Sequence, residues 1–380
     1  MRQALVILLM AGLIAGCGRS SGKRENIEPP AELLPLTTTT SVTQAWQRDL
    51  DKGEGRLGTR QHPVSDGMRL YAASPKGGLY AFNAESGAQV WRLDTGLRLS
   101  STPGVGEGTL VVGTLDGDVV AFNPESGSER WRAKVSSEVI SAPAVGRGVA
   151  VVRSIDGRVF AFSITDGERR WVYDRGTPAL TLRGNSAPVM ADGLVLVGYD
   201  SGQLVALRGD DGVQLWEQAI AFGEGRSELE RMVDIDGEMA YDRGEVYAAA
   251  FNAQVVGVSL EGGRPLWNRE LSSYAGVTLS NQTLFVADRD GVIWALDRNS
   301  GAAMWKQDAL RHRWLTTPAV HGSHVVVGDL EGYLHWFDAE TGNPVARHRL
   351  GKKPIRATPH VNGDLLYAVS IDGKLGAYRH

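Results

Sequence analysis

The chain of 380 residues uses cysteine once, at Cys17. A single thiol excludes any intramolecular disulfide and any metal site built from several thiolates. Long apolar runs are as scarce: the longest covers residues 4–14, too short to cross a bilayer as a helix. Charge of one sign is missing too, with 40 Lys and Arg against 44 Asp and Glu. No basic cluster points to nucleic acid. The eight histidines never fall in the H-E-x-x-H spacing of a zinc protease. Nothing in these absences favours an enzyme, a cofactor or a resident metal.

What is present begins with the setting of that cysteine. Arg2 gives a positive start, the apolar run follows, and Ala15-Gly16 are small residues before Cys17. That order is the layout of a secretory signal. Ile14-Ala15-Gly16-Cys17 resembles a bacterial lipobox, in which the thiol is acylated and the chain cut just before it. Residues 1–16 are therefore expected to be a lipoprotein signal peptide. Several acyl chains make a lasting anchor where one does not. Gly18 stands where lipoproteins kept at the inner membrane commonly carry Asp, so by resemblance the destination is the periplasmic face of the outer membrane. The stretch that follows is rich in Ser, Thr, Pro and charge, so residues 17–42 read as the anchor and a flexible linker.

From residue 43 the chain repeats one phrase. AFNAESGAQVW (81–91) recurs as AFNPESGSERW (121–131), AFSITDGERRW (161–171), ALRGDDGVQLW (206–216), GVSLEGGRPLW (257–267) and ALDRNSGAAMW (295–305). A period near 40 signals a repeat architecture. Each unit holds short β-branched runs separated by turns, and no 3.6-residue apolar pattern supports a helical solenoid. Asp-Gly between the second and third runs, as at 116–117 and 156–157, predicts a type I′ hairpin. Four antiparallel strands per unit make an all-β fold, an eight-bladed β-propeller over residues 43–380. The last unit stops at His380 without its Trp strand, while AWQRDL (45–50) is a Trp strand without a unit. The N-terminal strand is thus expected to close the last blade and remove exposed edges. The motif tryptophans are assigned to packing between blades.

The repeat A-x-D-x-x-[ST]-G-x-x-x-W resembles that of the pyrroloquinoline-quinone (PQQ) dehydrogenase propellers. Those enzymes hold PQQ against a disulfide between adjacent cysteines, with Ca²⁺ nearby. This chain has no such cysteines, and a fold alone confers no activity. Gly104-Val105-Gly106-Glu107-Gly108 is a hairpin turn without a following helix, so it is no phosphate cradle. Arg311-His312-Arg313-Trp314 reads as a solvated connection.

Departures from the period mark where a partner would bind. From the motif Trp to the Pro position of the next unit the regular case is Trp131 to Pro143. Two consecutive connections are longer, Trp171 to Pro188 and Trp216 to Met239. Insertions on one face of a repeat array often mark its binding face. The inserted segments carry LTLRG (180–184) and VDID (233–236). With the lipobox and the eight repeats, they resemble the BamB family of outer-membrane β-barrel assembly (BAM) lipoproteins. The resemblance implies a non-enzymatic scaffold whose two long loops dock on a POTRA domain of BamA, within reach of unfolded β-barrel clients. Matched motif by motif, the contacts would be Leu180, Leu182 and Arg183 in the first loop, with Asp234 and Asp236 in the second. The residues alone leave other roles open. Both leucines can pack back on their blade, and both aspartates can cap a loop. A periplasmic quinoprotein remains the rival reading from the enzyme class.

Acylation generates a direct test. Cys17→Ser should give a chain that no longer fractionates with the outer membrane, and unchanged fractionation would reject the lipobox.

Overall fold

The computed structural model describes residues 28–51, 53–54, 57–176, 186–221 and 233–380. Eight four-stranded antiparallel sheets follow one another along residues 31–380, each the product of the repeat. The first seven run in sequence order over residues 64–94, 104–134, 144–173, 189–219, 240–270, 277–307 and 319–349. Blade eight takes three strands from residues 360–379, and its outer strand is Thr43–Asp49, paired antiparallel with Lys374–Arg379. The ring closes through its N-terminal strand, as the incomplete last repeat implied. The second and third strands of each blade are almost wholly buried, because both their faces meet neighbouring blades. Outer strands alternate exposed and covered residues and carry a bulge that twists the open edge, as between Ala121 and Phe122 in the pairing of blade two.

The repeated Trp and Gly explain each other. Trp131 Nε1 donates to the Ile164 carbonyl of the next blade at 2.9 Å. Its ring lies where a Cβ on Gly167 would stand, 2.7 Å from the nearest ring carbons. Gly167 also has φ of +74°, so the turn needs glycine twice over. The same clasp joins Trp46, Trp91, Trp171, Trp216, Trp267 and Trp305 to the following blade. Trp46, on the closing strand, clasps blade one through Ala84 and Gly87.

Two expectations change. The Asp-Gly turns are not type I′. Gly117 has φ of +78°, but Asp116 is absent from the residues with positive φ, and Thr114 N bonds Asp118 O at 3.0 Å. That is a three-residue loop ending in a left-handed glycine. Both central residues have positive φ instead in first hairpins such as Glu107-Gly108 and Arg147-Gly148. The second change concerns the linker. Ala31 N bonds Arg311 O at 2.9 Å, and Thr39 N bonds Val345 O at 3.0 Å on the outer strand of blade seven. Leu33 and Val42 pack against buried clusters of the ring. Residues 31–42 are thus a strap laid on the propeller, because their few apolar side chains find pockets and their backbone covers an edge.

The closing clasp is testable. Trp46→Ala removes a side chain 7% exposed and should cost about 3–5 kcal/mol, seen as a lower and less cooperative melt. Trp314→Ala, at 55% exposure, should leave the melt unchanged.

Candidate functional site: the rim above blades three to five

Every connection between blades enters the next first strand from the same side of the ring. There the entry segments of all eight blades line an axial cavity of about 720 Å³. Arg60, leading into blade one, reaches across it to the Tyr274 carbonyl at 3.1 Å. His62 faces Glu238 from the far side at 3.9 Å. The described ends of the two long connections, 174–176 with 186–188 and 220–221 with 233–239, belong to this rim and occupy adjacent positions around it. Leu180, Leu182 and Arg183 lie outside the described residues.

Asp234 and Asp236 are described, and neither stands on an open surface. Asp234 is fully buried and Asp236 is 9% exposed, at the wall of the axial cavity. Their segment is pinned by its backbone: Phe251 N bonds Asp234 O at 2.9 Å, and Ile235 N bonds Tyr199 O at 3.3 Å. Ile235 inserts where a Cβ on Gly198 would lie. This is the ordinary way a connection docks here, since Val139 does the same over Gly113. The Asp-x-Asp alternation follows from it. Ile235 faces the blade, so both neighbours are turned the other way and still end up enclosed.

A third carboxylate and a guanidinium complete the cluster. Arg153, with no exposed side-chain surface, reaches from blade three to Asp200 Oδ1 at 2.9 Å and to the Gly198 carbonyl at 2.7 Å. Burial raises the Asp236 carboxyl to about 7, with Asp234 and Asp200 pushing the same way and Arg153 and Arg60 opposing. Its Oδ1 is buried without a hydrogen-bond partner. Enclosing Asp200, Asp234 and Asp236 around Arg153 brings like charges together in a buried place, which is costly for the ionised Asp236 carboxyl.

The sequence reading missed Arg153, although the repeat marks it. The last residue of the second strand is Ala73, Gly113, Gly198, Ala249, Ala287, Gly328 or Val369 in the other blades. Only blade three places a long cation there. The Arg311–Trp314 segment also differs from expectation. Arg311 and Trp314 are exposed, but Arg313 is buried and paired with Asp329 at 2.8 Å.

Among the described residues no group of three or more His, Cys, Asp or Glu side chains is arranged to hold a metal ion. The adjacent cysteines of the quinoprotein site have no counterpart. These residues do not fit PQQ with Ca²⁺.

A raised carboxyl pKa has a definite sign. The folded state holds the Asp236 proton more tightly than the unfolded chain, so stability present at acid pH is lost as pH climbs through about 7. Asp236→Asn should therefore melt higher than the parent at pH 8, with about 2–4 °C per kcal/mol gained, and match it at pH 5. An equal gain at both pH values would mean the charge is not the cause.

The comparisons with known proteins agree on one family. The family model described as outer membrane protein assembly factor BamB matches residues 38–107, 76–307 and 289–379. The BamB of Xanthomonas campestris pv. campestris is 43% identical, covering 100% of this chain and 97% of that one. The BamB of Pseudomonas aeruginosa is 46% identical over 98% of this chain and 97% of its own. The BamB of Escherichia coli strain K12 is 32% identical over 97% and 94%. In fold, the crystal structure of BamB from Moraxella catarrhalis superposes with a TM-score of 0.82 at 24% identity, covering 90% of this chain and 100% of that chain. The quinohemoprotein alcohol dehydrogenase of Comamonas testosteroni shares the propeller at a TM-score of 0.72 and 14% identity, over 89% of this chain and 76% of its own. A ring of eight blades, two adjacent long connections and these matches lead to one assignment: the chain belongs to the BamB family of outer-membrane protein assembly factors.

Proposed function

We propose that the protein is a non-enzymatic scaffold of the outer-membrane assembly machinery, held at the periplasmic face by acylated Cys17. It docks on a POTRA domain of BamA through the connections that follow blades three and four. The observation that carries this reading is the pair of consecutive long connections on one rim, rooted in a buried charge cluster that a plain propeller has no need of. Stability given up at a particular place is a mark of function.

Leu180, Leu182 and Arg183 supply two apolar anchors and a planar guanidinium, the composition of a small hot spot. Asp236 contributes from the cavity wall. A basic group arriving from BamA would meet a carboxylate whose charge burial and two neighbouring acids disfavour, against the pull of Arg153 and Arg60. Asp234, enclosed beneath it, adds to the local negative potential. The rival, a periplasmic PQQ-dependent dehydrogenase, has the shared fold in its favour, but the sequence lacks the adjacent cysteines and the described residues hold no cluster of metal ligands. Incubation with PQQ and Ca²⁺ followed by a search for bound quinone separates the two.

Truncating a hot-spot side chain costs about 2 kcal/mol or more, some thirtyfold in affinity. The double variant Leu180→Ala/Arg183→Glu should lose capture of BamA with its melt unchanged. Arg311→Glu, on an exposed connection of ordinary length, should bind as the parent does. Full capture by the double variant would move the docking site elsewhere on the ring.

A further inference from the structure

We propose that Arg153 is a positioning residue for partner docking, fixing from beneath the one turn on which both long connections converge. The inference rests on the docking role proposed above.

The turn is Tyr199–Gly202 of blade four, and its neighbours come from three places. Arg153 arrives from blade three, with its guanidinium 4.8 Å from the centre of the Tyr199 ring. Arg175, at the start of the first long connection, lies against the same ring at 5.1 Å and pairs with Glu217 at 2.8 Å. Ile235, at the end of the second, bonds the Tyr199 carbonyl. One tyrosine thus touches the root of each connection, and Arg153 holds both residues that flank the tyrosine.

The turn also lacks a device that steadies several of its equivalents. In blades two, six and seven the first residue of this turn caps it. Thr114 Oγ1 accepts from Asp116 N and Asp118 N, Asp288 Oδ1 from Asp290 N and Val292 N, and Asp329 Oδ1 from Glu331 N and Tyr333 N. Tyr199 has no side chain suited to that, and its hydroxyl is buried without a partner. Local capping is replaced by a cation brought from the neighbouring blade.

Stability gives no reason for this choice. A buried ion pair is commonly neutral or unfavourable against an apolar pair of the same volume, and Gly, Ala or Val fills the Arg153 position in every other blade. A second buried arginine has a similar setting. Arg313 pairs with the Asp329 turn and donates to the Ala31 carbonyl, so it holds the strap. Where this ring carries an addition, a buried guanidinium fixes the turn below it.

Arg153 also sets the charge state of the rim. The groups facing Asp236 are Asp234 on its own segment, Asp200 on the blade-four turn, Arg153 from blade three and Arg60 from the entry to blade one. Glu238 and His62 lie across the same cavity. Loss of Arg153 removes a cation from this set, so the carboxyl holds its proton to higher pH. Affinity for a basic partner surface then rises with pH later than in the parent.

The experiment measures binding of the full chain to the POTRA domains of BamA from pH 6 to 9, with melts alongside. Arg153→Met should bind about tenfold more weakly at pH 7, with the midpoint of its pH–affinity curve moved upward. Arg153→Lys restores the charge without the two-pronged contact, so its midpoint should return to that of the parent while its affinity stays intermediate. If Arg153→Met fails to fold, the lysine variant decides: a parental midpoint with reduced affinity supports the proposal. Parental affinity in Arg153→Met overturns it. So does a loss uniform across pH that lysine leaves unrepaired, since that is a folding defect alone. If the parent chain does not bind BamA, the docking reading itself fails and Arg153 falls with it. Binding by the parent that Leu180→Ala/Arg183→Glu abolishes, with Arg153→Met unaffected, sinks only the present inference.

Discussion

The clasp of one tryptophan on the next blade's glycine turn is the contact on which this ring depends. Each blade is a flat sheet that cannot bury both faces alone, and the clasp sets how neighbours meet. The indole donates to a carbonyl beyond the turn, and its ring fills the space of a missing Cβ. Because both partners sit in the same eleven-residue phrase, each repeat carries a clasp for its neighbour and a seat for its predecessor. Blade seven breaks the rule, since Val345 and Ala346 stand where the Trp would be. Its junction with blade eight is filled by rings in tilted contact, His321 with His380 and His348 with Tyr378. The strap reaches the same place, with Thr40 bonded to His324.

The blades were legible because the tryptophan clasp is local and repeated. Period and strand count follow from where Trp and Gly recur, and closure from a blade without its Trp strand matched by a Trp strand without its blade. Features set by one-off contacts were not legible. The strap looks like a linker by composition, and only the contacts of Leu33, Val42 and Val345 show it docked. Asp-Gly was read as a type I′ turn because that dipeptide favours it, whereas here the loop is one residue longer. At the rim, interruption of the period located the two connections. Burial of Asp234 and Asp236 was hidden, because it depends on Ile235 seating in the gap at Gly198. Arg153 was visible in principle, by aligning strand ends and asking which one is not small.

Propellers tolerate change at their connections because the clasps lie elsewhere, in the outer strands and the turns that receive them. That separation lets a scaffold protein spend its variation on the rim without disturbing the ring. A shared propeller in quinoprotein dehydrogenases and this family is therefore no guide to chemistry. Asp200, Asp234 and Asp236 lie with Arg153 where the described ends of the two long connections meet blade four.

The strap gives the molecule a fixed azimuth. Eight similar blades would otherwise make a disc whose orientations about its axis are nearly equivalent. Residue 31 is held beside the entry to blade seven, while the described ends of the two long connections meet blade four, roughly a quarter-turn or more around the ring. Any pull arriving through residue 31 would therefore act off-centre and on one known side, which gives the disc a defined rotational setting.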